Sequence, residues 1–279
     1  MEAGIAQYRL LMAEKELLEK TLSRSLSVLV DILSIVNPIA FSKAARFRRY
    51  VRQIIRELKL PNSWQYELAA LMSQIGCVAL TPEVLEKVNA GQKLSKEEHE
   101  MFSNHPALGS KLLQKIPRLE NVAVMIEKQN LPFKRFTVAD KPDGPDTVTM
   151  GAQILKTALD FDKLLMNGTA PSEAVERMLK RPEECNPAVV NALRNLKWRR
   201  MGSTVKVVKI SELEVGMVID QNVSTSKGVL VVTKGQEVNY LLLERLKNFR
   251  GNHSISGEVR VLAPEYNLPD DNEQPGEKR

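Results

Sequence analysis

ELAALMSQIGCVALTPEVLEKVNAGQKLSKEEHEMFSNHPALGSKLLQKI, residues Glu67–Ile116, is the stretch on which the reading of the whole chain turns. Leu68, Leu71, Met72 and Ile75 recur at helical spacing and form one apolar stripe. Gly76 stands as a stop signal, and Thr81-Pro82 opens the next helix with a cap and a proline in its first turn. Ser95-Lys96-Glu97-Glu98 is a capping box, serine followed three residues later by glutamate, and opens a third helix. That helix runs to Asn104-His105-Pro106, where the proline disfavours helix at the residue before it.

The order Ile75-Gly76, Pro82, Leu94-Ser95-Lys96-Glu97-Glu98 and His105-Pro106-Ala107-Leu108-Gly109 resembles the HD-GYP branch of the HD phosphohydrolases, bacterial enzymes that hydrolyse cyclic di-GMP. The resemblance implies a helical bundle from about Leu26 to Leu196. It also assigns positions. Ser73-Gln74 stands where that family carries its metal-binding His-Asp pair, and Cys77 where it carries a lysine. If Arg46 is the family's arginine, Lys43 takes the position of the histidine three residues earlier. Near the end of the bundle Asp162 matches the second of two aspartates, and Leu159 falls on the first, a metal ligand. The family's His-His-Glu becomes the stretch Glu127–Gln129, Asp143-Gly144-Pro145 is a faint echo of its aspartate-glycine, and its Gly-Tyr-Pro is absent.

A hydrolytic site of this kind gathers several imidazoles and carboxylates around two or three cations that make hydroxide at neutral pH. Position by position, only His105 survives as a ligand, and a lysine at position 43 would repel the cation. No metal and no cofactor are therefore expected, and Lys43, Ser73, Gln74, Cys77, His105 and Leu159 read as vestigial. His105 reads as a helix-end hydrogen-bonding residue. A neutral, hydrogen-bonded interior is expected there, with Lys43 turned toward solvent or an acidic partner. Lys43, Arg46 and Lys128 are the candidates for binding the phosphates of a cyclic dinucleotide without hydrolysis.

Composition narrows the classes. An apolar fraction of 43% is ordinary for a globular chain of 279 residues. A net charge of +6 with only 5% aromatic residues argues against a nucleic-acid binder. No apolar run reaches the roughly 18 residues a spanning helix needs, so no membrane insertion is expected. The N-terminus lacks a signal-peptide pattern, and two cysteines, Cys77 and Cys185, fit a reducing cytoplasm.

Outward from the central stretch, Gln7–Leu29 carries leucines at 10, 11, 17, 18, 22, 26 and 29. This long helix is either a coiled-coil-like homodimer seam of about three heptads or a helix packed on its own domain. It resembles the helix that follows a receiver domain in two-component response regulators, so the chain is expected to be the output half of such a protein. Ser42 is placed to cap a helix Lys43–Leu58, whose apolar face holds Phe47, Val51, Ile54, Ile55 and Leu58. Arg46, Arg49, Arg52 and Arg56 fall off that face, as a solvated basic surface or an anion site. Thr147–Met166, Pro171–Leu179 and Pro187–Leu196 read as the last helices, and residues 197–203 as a linker. The period then changes. Val205–Ile210, Gly216–Ile219, Gly228–Val232 and Ile255–Val261 read as strands, with a hairpin at Ser226-Lys227 and a helix at Asn239–Phe249. The tail from Pro264 reads as disordered.

The expected fold is mainly α. An N-terminal helix (1–25) is followed by a degenerate HD-GYP-like bundle (26–200), a small β module with one helix (204–263) and the tail (264–279). The expected function is signal output by protein–protein contact or ligand sensing. Two alternatives stand beside it: an active cyclic di-GMP phosphodiesterase with substituted metal ligands, and a non-hydrolysing cyclic dinucleotide receptor.

Overall fold

The computed structural model describes residues 2–61, 63–89, 91–136, 146–194, 201–251 and 254–264. The chain is mainly helical and divides into two compact units, residues 1–196 and 197–279. Asp143-Gly144-Pro145, most of the 197–203 linker, His253 and the tail beyond Pro264 lie outside the described residues.

The first unit holds eleven α-helices among the described residues. They are α1 (Glu2–Val36), α2 (Pro38–Phe41), α3 (Ala44–Leu58), α4 (Ser63–Met72), α5 (Pro82–Asn89), α6 (Lys96–Ser103), α7 (His105–Leu113), α8 (Glu120–Glu127), α9 (Thr147–Met166), α10 (Pro171–Leu179) and α11 (Pro187–Ala192). Its core is formed where α3, α4, α8 and α9 pack on one another. Five consecutive residues of α4, Leu68 to Met72, are buried, so the C-terminal half of this helix is apolar all round and sits inside the bundle. On α3, which packs on α4 and α9, Phe47, Val51, Ile54 and Ile55 are buried. The α9 boundaries are those read from the sequence, and Asp146 caps the helix by accepting from the N–H groups of Val148 and Thr149 at 3.3 Å each.

Local chemistry explains most of the boundaries. Both halves of the Ser95–Glu98 capping box form: Ser95 Oγ accepts from Glu98 N–H at 3.2 Å, and Glu98 Oε2 accepts from Ser95 N–H at 2.9 Å. Asn37 caps the short α2 by accepting from Ala40 N–H at 3.2 Å. Ser42 does not cap α3. Lys43 occupies that position, with helical backbone angles and no side-chain cap. The N-terminal helix is longer than read, continuing to Val36, and α11 is shorter, ending at Ala192.

Gly76 also has a different purpose from a helix stop. α4 ends at Met72, and Gly76 lies inside a 3₁₀ turn, Ile75–Ala79. A Cβ at Gly76 would lie 1.9 Å from the carbonyl oxygen of His105 and 2.9 Å from the N–H nitrogen of Gly109. Both are backbone atoms, so only glycine lets this turn lie directly against the start of α7.

Among the described residues the second unit carries five strands, β1 (Met201–Lys209), β2 (Val218–Ile219), β3 (Val223–Ser224), β4 (Leu230–Val232) and β5 (Glu258–Pro264), and one α-helix, α12 (Tyr240–Gly251). An antiparallel sheet has the order β1-β5-β2, and β3 pairs with β4 as the expected hairpin. Gly228 supplies a φ of 80° in that turn. Ile210, Val218, Ile219, Val231, Leu242, Leu246, Val259 and Val261 form the small core.

Candidate functional site

Four segments of the first unit meet at the candidate site: the start of α3, the 3₁₀ turn after α4, the α7 N-terminus with the end of α8, and the middle of α9. The α3–α9 contact is an ion pair. Arg46 and Asp162 are both buried, and Arg46 donates from Nε to Asp162 Oδ1 at 2.8 Å and from Nη2 to Oδ2 at 3.2 Å. This bidentate fork fixes both planes. Tyr50, one turn along α3, donates its hydroxyl to Asp162 Oδ1 at 3.2 Å and stands edge-on to Phe161, with ring centroids 5.4 Å apart. Burial and the adjacent carboxylate push the Tyr50 phenol above its ordinary pKa. Burial works against the Arg46 charge, but Asp162 outweighs it and holds the guanidinium pKa up.

Arg46 is therefore neither a solvated arginine nor a free phosphate binder. It clamps two core helices. Its neighbours on α3 are tied as well, since Arg48 and Arg52 both donate to Glu67 Oε2, at 2.9 and 2.8 Å. Of the arginines read as a solvated basic surface or an anion site, Arg46 and Arg52, with Arg48 beside them, are paired to carboxylates, and Arg49 and Arg56 are exposed.

Lys43 is not turned out to solvent. It is partly buried, and burial holds its amine below the ordinary lysine pKa, opposed by the nearby Asp162 charge and helped by Arg46. Cys77 is within range of the same ammonium, yet burial dominates and pushes its thiol up to about 12. That is a poor nucleophile at neutral pH.

Ser73, Gln74, Cys77, His105 and Gln129 form a connected polar cluster. Ser73 Oγ donates to Ala70 O at 3.0 Å, and Ser73 O accepts from Gln129 Nε2 at 3.0 Å. Gln74 Nε2 lies 3.5 Å from Ser73 Oγ, and Cys77 Sγ lies 3.6 Å from Gln74 Oε1. His105 Nδ1 is 2.5 Å from Phe102 O, which fixes the proton on Nδ1 and leaves Nε2 to accept from Gln129 Nε2 at 3.4 Å. Burial lowers the His105 pKa, with Phe102 O opposing it, so the neutral ring is favoured. Gln129 Oε1 is buried and has no hydrogen-bond partner among the described residues.

The structure thus brings Lys43, Arg46, Ser73, Gln74, Cys77 and His105 into one region. Leu159 is half-buried on α9 three residues before Asp162. Lys128 is half-buried at the end of α8, where its N–H bonds Val124 O at 3.1 Å, and it is not among the partners of Asp162 or Cys77. Tyr50 and Phe102 are participants the sequence reading missed. The signal for Tyr50 was its place one helical turn after Arg46.

A binuclear or trinuclear hydrolytic centre would need converging imidazoles and carboxylates. Here the aligned positions offer a lysine, a serine, a glutamine and a leucine around one histidine. Among the described residues no three His, Cys, Asp or Glu side chains are grouped to hold a metal ion. The donor set does not fit such a centre. No described helix is long and apolar enough to cross a membrane.

A family model described as an HD domain matches residues 27–186, more than half of the chain. No curated protein matches it.

Proposed function

The chain belongs to the HD-domain family, and from that premise we propose that it keeps the helical frame of a metal-dependent phosphohydrolase-type domain without its hydrolysis. In this reading it is a signal-output module of HD-GYP-like, response-regulator type that acts by protein–protein contact. One observation carries the reading. The positions that would hold cations are joined to each other, through the Gln129–Ser73 and Gln129–His105 hydrogen bonds, beside a lysine ammonium in range of Asp162 and Cys77. A lysine ammonium near these positions brings positive charge into the region, and unlike a metal it cannot ionise a bound water to hydroxide.

Elemental analysis of purified protein tests this, together with a cyclic di-GMP turnover assay in manganese, iron and zinc. The expected result is no stoichiometric metal and no product. Two metals per chain, or turnover that disappears in His105→Ala, would sink the proposal in favour of an active phosphodiesterase. Saturable cyclic di-GMP binding without product would replace contact by ligand sensing, and Lys43→Ala should then weaken that binding.

A further inference from the structure

We infer that α1 pairs with the α1 of a second copy of this chain as a parallel, in-register, two-stranded coiled coil along the stripe Tyr8–Val36. The inference is independent of whether the HD site is active.

Two faces of α1 differ in what they touch. Leu26, Val30 and Ser34 are buried, on the face by which α1 packs on α2 and α4. A second stripe runs 8, 11, 15, 18, 22, 25, 29, 32, 36, alternating steps of three and four over the whole helix. Seven of these nine positions are apolar. Tyr8, Leu11, Leu18, Leu29, Ile32 and Val36 are all exposed, Val36 at 74% and Leu11 at 57%. The 3.5-residue period is what keeps one helix face against another through a left-handed supercoil.

Two further features name the occupant as an identical chain. First, every described residue from Ile5 to Leu18 is exposed, so this half of α1 has nothing of its own unit to lean on. An isolated helix of that length is marginal in water, and a partner helix of matching period stabilises it. Second, the stripe contains a single charged residue, Lys15, at an a position, with Glu14 beside it at g. In a parallel pair the hole that receives an a residue includes the preceding g residue of the other chain. Each Lys15 position therefore meets the Glu14 position of the other copy. One lysine at an a position sets register and strand number, and the complementary charge is supplied by the same sequence. An antiparallel pair breaks this match.

Sedimentation of the full chain over a concentration series should give twice the 31.4 kDa monomer mass. Leu11→Asp with Leu18→Asp should give the monomer, while Leu26 and Val30 still hold the lower half of α1. Orientation is read by oxidation of single-cysteine variants, since native Cys77 and Cys185 are buried. Leu11→Cys and Leu29→Cys should each cross-link to themselves, whereas Ala13→Cys, on the far side of the helix, should not. A monomer at every concentration overturns the inference, as does a dimer that survives the double aspartate variant. A dimer in which neither Leu11→Cys nor Leu29→Cys self-links overturns the parallel register.

Discussion

Replacing Asp162 by asparagine tests the clamp between α3 and α9. The asparagine has nearly the same shape, so packing is kept and only charge and acceptor capacity change. Asp162 now receives two N–H groups from Arg46, at 2.8 and 3.2 Å, and the Tyr50 hydroxyl at 3.2 Å. Asp162→Asn leaves a buried guanidinium without its counter-charge, for which a loss of about 3–5 kcal/mol is expected. Arg46→Met should cost less, about 2–3 kcal/mol, because the stranded carboxylate keeps Tyr50 and the nearby Lys43 charge. The double variant Arg46→Met with Asp162→Leu should return close to the parent, since apolar groups of similar volume replace a buried pair at little cost. Urea unfolding followed by far-UV circular dichroism, extrapolated linearly, gives all three values. If Asp162→Asn lies within about 1 kcal/mol of the parent, the pair is solvated and the clamp is not there. If the double variant loses as much as Arg46→Met and a single Asp162→Leu variant, measured the same way, lose together, the two side chains do not act on each other.

Gly76→Ala should lose about 3 kcal/mol or more, because its Cβ meets rigid backbone at 1.9 Å. Gly151→Ala, whose Cβ would lie 2.4 Å from the sulfur of the flexible but buried Met125 side chain rather than against backbone, should lose less than Gly76→Ala in the same urea experiment. His105 has its pKa lowered in the fold, so the unfolded chain binds the proton first. Its contribution to stability is then complete above roughly pH 6.5 and falls as pH drops below that value, a slope that His105→Asn should remove in unfolding measured against pH. Lys43→Met should raise stability by about 1 kcal/mol at neutral pH by removing a partly buried charge. The gain should shrink as pH rises toward the ordinary lysine value, where the buried amine is already neutral; a loss at neutral pH would mean the ammonium is a net stabiliser.

The parts of the fold legible in the sequence are those set by local chemistry. The capping box at Ser95, the α9 helix with its apolar period and the β3–β4 hairpin depend on residues within a few positions of each other. The site depends on contacts across the chain, and there the local reading failed. Arg46 lies off the main apolar stripe of α3, which suggests solvent, yet its partner Asp162 stands 116 residues away. One clue was present, since Asp162 falls among Leu155, Ala158 and Phe161, and a carboxylate on a buried stripe requires a buried donor. Gly76 misled for a related reason. A glycine that ends a helix and one that admits another backbone look the same in one sequence, and only the approach of α7 separates them.

The position of β1 at the margin of its sheet has a consequence for how this protein behaves at high concentration. β5 covers one side of β1, and no described strand covers the other, so alternate residues along β1 turn their backbone N–H and C=O groups to an unpaired edge. Val205 and Val207 are exposed on this strand, at 46% and 61%, which is the composition that recruits a further strand and grows into aggregates. Lys206 and Lys209 interrupt the run, and two β1 strands brought edge to edge would set these like charges close together. Lys209 is matched across the ladder to Glu258, so its charge is complemented within the sheet while Lys206, opposite Val261, is left to repel intruders. The lysines thus act as gatekeepers, and neutralising Lys206 should leave the fold intact while making the protein precipitate sooner.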